Sequence, residues 1–142
     1  MDQSLEQLVN EAPDAILISD LEGIIRFWNR GAELIFGHTA VEAVGRSLDL
    51  IIPENLRARH WEGYWRVMRS GETKYKTGLL SSPGLRKDGS RVSLAFSMIL
   101  LRDNSGAVSG CGTIMRDVSE QWQREKELKE RLAACEAGSG PG

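Results

Sequence analysis

The 142-residue chain predicts an α+β domain: a five-stranded antiparallel sheet with helices covering one face, flanked by N- and C-terminal helices. Three observations lead there. First, in "SRVSLAFSMILL" Val92, Leu94, Phe96, Met98 and Leu100 alternate with Arg91, Ser93, Ala95 and Ser97. A period of two over that length gives a strand with one face in the core and one near water. Second, two strand-like segments are followed by helices and then by three more strand-like segments, the order of a single sheet with a helical crossover. Third, a charged helical run closes the chain. At 41% apolar and 27% charged residues, the composition suits one globular domain with a core of its own.

The elements follow in order. Leu5 to Ala12 reads as a short amphipathic helix ending at Pro13. "AILISD" and "GIIRFWN" read as strands joined by the tight turn Asp20-Leu21-Glu22-Gly23, where Gly23 can take a positive φ. "RGAELIFG" is a helix stopped by Gly37, and "TAVEAVG" another, with Thr39 as N-cap and Gly45 as stop. Pro53 to Ser70 is the longest helix of the middle, with Gly71 at its exit. "KYKTGLLS" is the third strand, "SRVSLAFSMILL" the fourth and "AVSGCGTIMRD" the last. Val118 to Ala137 is a charged exit helix whose seam (Val118, Leu128, Leu132, Cys135) is interrupted by Gln121 and Glu125, a weak coiled-coil pattern. The expected division is a flanking helix at 1–12, the domain at 13–117, the exit helix at 118–137 and a disordered "GSGPG" tail at 138–142. The initial Met reads as a true start, and the tail as a linker or a cut.

Several function classes are set aside. A net charge of −2 offers no basic field for nucleic acid phosphates. No apolar run approaches the roughly 20 residues that span a bilayer, and the acidic start is unlike a secretory signal, so a cytoplasmic location is expected. Cys111 and Cys135 have no zinc-type spacing and are expected to be a small buried residue and a helix-surface thiol. No phosphate-cradling glycine loop, nucleophile elbow or paired apolar carboxylates appear, so no enzyme is expected.

The segment "RARHWEGYWRVM" carries the question of function. Leu56, His60, Tyr64 and Val67 share one face of the helix, which places His60 in the stripe facing the sheet, with Gly63 leaving room beside it. Trp61 and Trp65 are expected on the solvent side or at a dimer contact, and His38 on the surface.

The stretch "DAILISDLEGIIRFWNRGAELIFGHTAVEAVGR", with "RKDGSRV" before the fourth strand and "RDVSE" after the fifth, resembles a PAS domain of the S-box type. Asp14, Asp20, Gly23, Asn29, Gly37, Glu42 and Gly45 stand at that family's spacing, over about residues 8 to 120. The resemblance implies a sensory or dimerisation module that binds haem, a flavin or a small metabolite between sheet and helix, or binds nothing. It implies signal transduction through the C-terminal helix, a homodimer through the flanking helices, and a downstream signalling protein, as in regulation of transcription. Asn29 is expected to tie the second strand to the helices after it, and Asp117 and Ser119 to hold the start of the exit helix. The light-sensing branch needs a cysteine in "AVGRSLDLII", and none is there. His60 is similar in position to the proximal haem ligand of the oxygen-sensing members, Arg66 to a propionate partner and Lys74 to a second. Leu80 stands where those members carry an oxygen-binding arginine. Tyr64, Phe96 and Met98 would line the pocket, and Met98 or Met115 could supply a sixth ligand. Haem, flavin or metabolite, and no ligand all stay open.

Overall fold

The computed structural model describes residues 2–72 and 79–138. Five strands form one sheet, antiparallel at every pairing: β1 (Ala15–Asp20), β2 (Ile25–Trp28), β3 (Leu80–Leu85), β4 (Arg91–Arg102) and β5 (Val108–Asp117). Their spatial order is β2-β1-β5-β4-β3, so the β1–β2 hairpin meets the three-stranded β3–β4–β5 meander where β1 pairs with β5. The crossover carries α2 (Arg30–Phe36), α3 (Ala40–Ala43), two 3-10 turns at Leu48–Ile51 and Glu54–Leu56, and α4 (Arg57–Ser70). Helices α1 (Gln3–Glu11) and α5 (Ser119–Gly138) flank the domain.

Register fixes which sheet face is the core. Leu100, Met98 and Phe96 stand opposite Cys111, Thr113 and Met115, and those three stand opposite Ser19, Leu17 and Ala15. Directly paired residues share a face. The inner face therefore carries Ala15, Leu17, Val92, Leu94 and Cys111, all buried, and packs with Trp28, Phe36 and Ile51. The alternate positions Ile99 and Ile114 are exposed on the other side.

Local chemistry sets the boundaries. Asp20 accepts from the backbone N–H of Glu22 and Ile24 and from the Arg26 guanidinium, which closes the β1–β2 turn, with Gly23 at φ +76. Burial raises the Asp20 carboxyl, and these hydrogen bonds outweigh it and hold it below its ordinary value. Thr39 and Glu42 form a reciprocal capping box at the start of α3. Asn29 does more than the sequence suggests. Its Oδ1 caps α2 at Ala32 N and also accepts from Ile16 N, and its Nδ2 donates to the carbonyls of Val9 and Asp14. One buried side chain thus joins α1, β1 and α2.

Two expectations about the middle of the chain need correction. The described third strand is Leu80–Leu85, running four residues past the end expected from "KYKTGLLS"; residues 74–78 of that segment, Lys74 among them, lie outside the described residues. "SSPGL" looks like a breaker because of Pro83 and Gly84. Pro83 is tolerated because β3 is an edge strand. Gly84 is needed because a Cβ there would crowd Leu94 Cδ1 at 2.7 Å and Phe36 Cε1 at 3.1 Å. The long middle helix starts at Arg57, after a separate 3-10 turn, rather than at Pro53. At the far end, α5 runs through Gly138, and residues 139–142 of the expected tail lie outside the described residues.

Candidate functional site

Helix α4 lies over the inner face and delivers Tyr64 into it. The Tyr64 ring is buried, and its hydroxyl meets Ser19 Oγ at 3.0 Å while donating to the Asp20 carbonyl. Burial, first of all, pushes the Tyr64 hydroxyl up to about 12, so it stays a neutral phenol. Cys111 and Thr113 are buried on the same face, 3.8 Å apart through Sγ and Oγ1, and burial pushes the Cys111 thiol up. A short polar seam therefore crosses an otherwise apolar interior.

His60 stands one turn before Tyr64, with ring centroids 5.6 Å apart, and edge-on to Trp61 at 4.7 Å. The residue is half-buried, yet its Nδ1 is fully buried and has no hydrogen-bond partner among the described residues. Buried polar atoms are nearly always partnered, so this nitrogen marks a place where something is wanted. Burial lowers the His60 pKa and the nearby Asp49 carboxylate opposes that in part, which leaves the neutral imidazole a metal requires.

The other expected site residues distribute unevenly. Leu80 pairs directly with Phe96 across β3 and β4, and Met98 follows on the same face; all three are half-buried. Phe96, Met98 and Met115 pack against the core, so the wall is apolar, with no arginine at position 80. Arg66 is exposed and paired with Glu62 one turn back at 3.3 Å, so a propionate would have to draw it from that carboxylate. A Cβ at Gly63 would meet nothing within 4 Å, which leaves open space beside His60 and Tyr64.

Trp61 corrects an expectation. It is not a solvent-side residue: its ring packs on the Gly23 backbone, stacks on Trp65 at 5.1 Å and donates through Nε1 to Asp49 Oδ1 at 2.7 Å. Trp65 itself is exposed. His38 is not a plain surface residue either. It is half-buried, its carbonyl accepts from Trp28 Nε1, and burial lowers its pKa. Helical periodicity cannot show either fact, because both depend on loops folding back over the helix.

The exit is also built. Val118 N donates to the Ser93 carbonyl and Ser93 N to Ser119 Oγ, while Asp117 Oδ1 accepts from Ser119 N at 2.9 Å and Oδ2 faces Arg86 at 3.5 Å. Sequence reasoning placed Asp117 and Ser119 here and missed Ser93 and Arg86.

A family model described as PAS fold matches residues 9–123. The chain belongs to the PAS family. Solved structures agree on the fold: the PAS domain of a Colwellia psychrerythraea protein superposes with a TM-score of 0.72 at 19% identity, covering 83% of this chain and 97% of that one. Sequence relatives include Sensor protein FixL of Bradyrhizobium diazoefficiens, 28% identical over 127 residues, which are 89% of this chain and 25% of FixL. Oxygen sensor protein DosP of Escherichia coli is 27% identical over 128 residues, 86% of this chain and 15% of DosP. This PAS domain thus spans a quarter or less of either relative. No helix among its described residues is long and apolar enough to cross a membrane.

Proposed function

We propose that this PAS domain is a sensory module that holds haem on His60 and relays the state of the haem through α5. The observation that carries the reading is the buried, unpartnered Nδ1 of a neutral imidazole one turn before Tyr64 on α4. With Nδ1 unpartnered, the imidazole is committed to no structural hydrogen bond and is available to hold iron through its other ring nitrogen. Among the described residues no group of three or more His, Cys, Asp or Glu side chains could hold a metal ion. A lone imidazole suits a metal that arrives already held by a macrocycle.

Haem would supply an iron that binds diatomic gases. The chain's own residues do the rest. His60 anchors; Leu80, Phe96 and Met98 keep that side apolar and give bound gas no hydrogen-bond donor; Arg66 is free to leave Glu62 for a propionate at little cost, since exposed ion pairs contribute only about 0–1 kcal/mol. CO and NO are therefore favoured over stabilised O₂. The relay runs from the sheet through Ser93 to Ser119 and Asp117 at the start of α5. The expected partners are a second copy, joined through the flanking helices, and a downstream signalling protein. Its role is sensing rather than catalysis. The visible absorption spectrum of the purified protein tests the reading: a Soret band supports it, the yellow of an oxidised flavin replaces it, and a colourless protein that stays colourless with added hemin rejects it.

A further inference from the structure

A concavity lies outside the helix–sheet interior. It encloses about 320 Å³ between the segment that follows α3, the first residue of α4 and the β3–β4 turn. Four cations line it, Arg46, Arg57, Arg86 and Lys87, against a single carboxylate, Asp49, with His38 among them. Counting the two outside carboxylates that reach these cations, Glu42 at 2.7 Å from Lys87 and Asp117 at 3.5 Å from Arg86, one positive charge is still left over. That excess stands in a chain whose net charge is −2.

The cations are not equally committed. Arg57 is held by the Ile52 and Asp49 carbonyls and lies 3.9 Å from the Asp49 carboxylate. The Arg46 guanidinium makes no hydrogen bond or ion pair among the described residues, its backbone alone being held by Ala43 and Ile25, yet it is close enough to act on His38. Like charges gathered into one cleft repel unless an anion joins them. Guanidinium groups match the planar or tetrahedral oxygens of carboxylate and phosphate through paired N–H donors. Leu50 and Leu85 provide apolar wall beside the charges, so the cleft has a place for the body of a small molecule as well as for its anionic head.

We propose that this cleft binds a small phosphate monoester, with Arg46 and Lys87 gripping the phosphate and Leu50 and Leu85 the attached group. His60 does not line the cleft, though Asp49 reaches both, and nothing in the cleft depends on haem. It also reaches the output. Arg86 faces both the cleft and Asp117, and Asp117 holds the first turn of α5 through Ser119. An anion that draws Arg86 toward the cleft loosens it from Asp117, which gives the module a second input to the same exit helix.

The test is a phenyl phosphate titration of the whole chain followed by NMR of the two histidine rings, with phenol and sodium chloride as controls. Expected are saturable shifts of His38 at low millimolar ligand, a rise in the His38 pKa as a negative charge arrives beside it, and little change at His60. Phenol and chloride should do neither. Arg46→Gln, at an exposed and unpaired position, should weaken phenyl phosphate about tenfold while the circular dichroism spectrum stays that of the parent. Inorganic phosphate should bind more weakly than phenyl phosphate if the apolar wall contributes. Shifts of His38 that never saturate, that chloride reproduces, or that persist unchanged in Arg46→Gln would overturn the proposal.

Discussion

The placement of α4, and with it His60, rests on a contact that one methyl group can probe. Gly23 sits at φ +76 at the end of the β1–β2 turn, and a Cβ there would fall well inside 3.0 Å of the Trp61 six-membered ring. Trp61 cannot swing aside freely, since its Nε1 is bound to Asp49 and its ring is stacked on Trp65. Gly45 is the matched control: φ +93, with nothing within 4 Å of an added Cβ. Alanine in a left-handed conformation costs about 1–2 kcal/mol, and that is the whole cost expected of Gly45→Ala. Gly23→Ala adds overpacking, typically about 1–3 kcal/mol, for a total of about 2–5 kcal/mol. Equilibrium urea unfolding measures both, and a Trp61→Ala background completes the cycle: there the excess cost at Gly23 should vanish. If Gly23→Ala and Gly45→Ala destabilise equally, within about 0.5 kcal/mol, Trp61 does not rest on the turn and α4 is not seated as described.

Asn29→Ala should cost about 3 kcal/mol or more by urea unfolding, because it strands the buried N–H of Ala32, the part-buried N–H of Ile16 and two carbonyls at once. Asp117→Ala should cost about 1 kcal/mol and speed hydrogen exchange at the start of α5, with core amides unchanged; equal exchange across 118–132 would count against the anchor. Acid should destabilise the ligand-free chain through His60. Its folded pKa lies below the ordinary 6.5, so the unfolded chain takes up the proton first, and stability present above that value is lost as pH falls below it. His60→Phe should flatten the slope of stability against pH in that window, leaving the part due to His38, which shifts in the same direction; an unchanged slope would mean that His60 is not desolvated.

The strands were largely legible because alternation survives in β4 and because the Asp20–Gly23 turn carries its own chemistry, while the central β1–β5 pairing was not. The edge strand β3 was not, since an edge tolerates the Pro83 that a central strand would reject, and Gly84 is there for Phe36 rather than for a turn. At the candidate site, helical spacing put Tyr64 on the inner side of α4, but it could not reveal that the Tyr64 hydroxyl is held by Ser19 and the Asp20 carbonyl. Nor could it place Trp61 against Gly23, or gather Arg46, Arg57, Arg86 and Lys87 from three segments into one cleft. Contacts between residues far apart in the chain leave no period to read.

The measurement that bears most directly on His60 is a hemin titration of the wild type and His60→Ala, followed by difference absorption and repeated under CO. Wild type should take up one equivalent and give a sharp CO-bound spectrum. His60→Ala, folded by circular dichroism, should retain hemin at least about tenfold more weakly, a loss of roughly 1.4 kcal/mol or more. Equal uptake by the two proteins, or none by either, would contradict the assignment of His60 as the haem ligand.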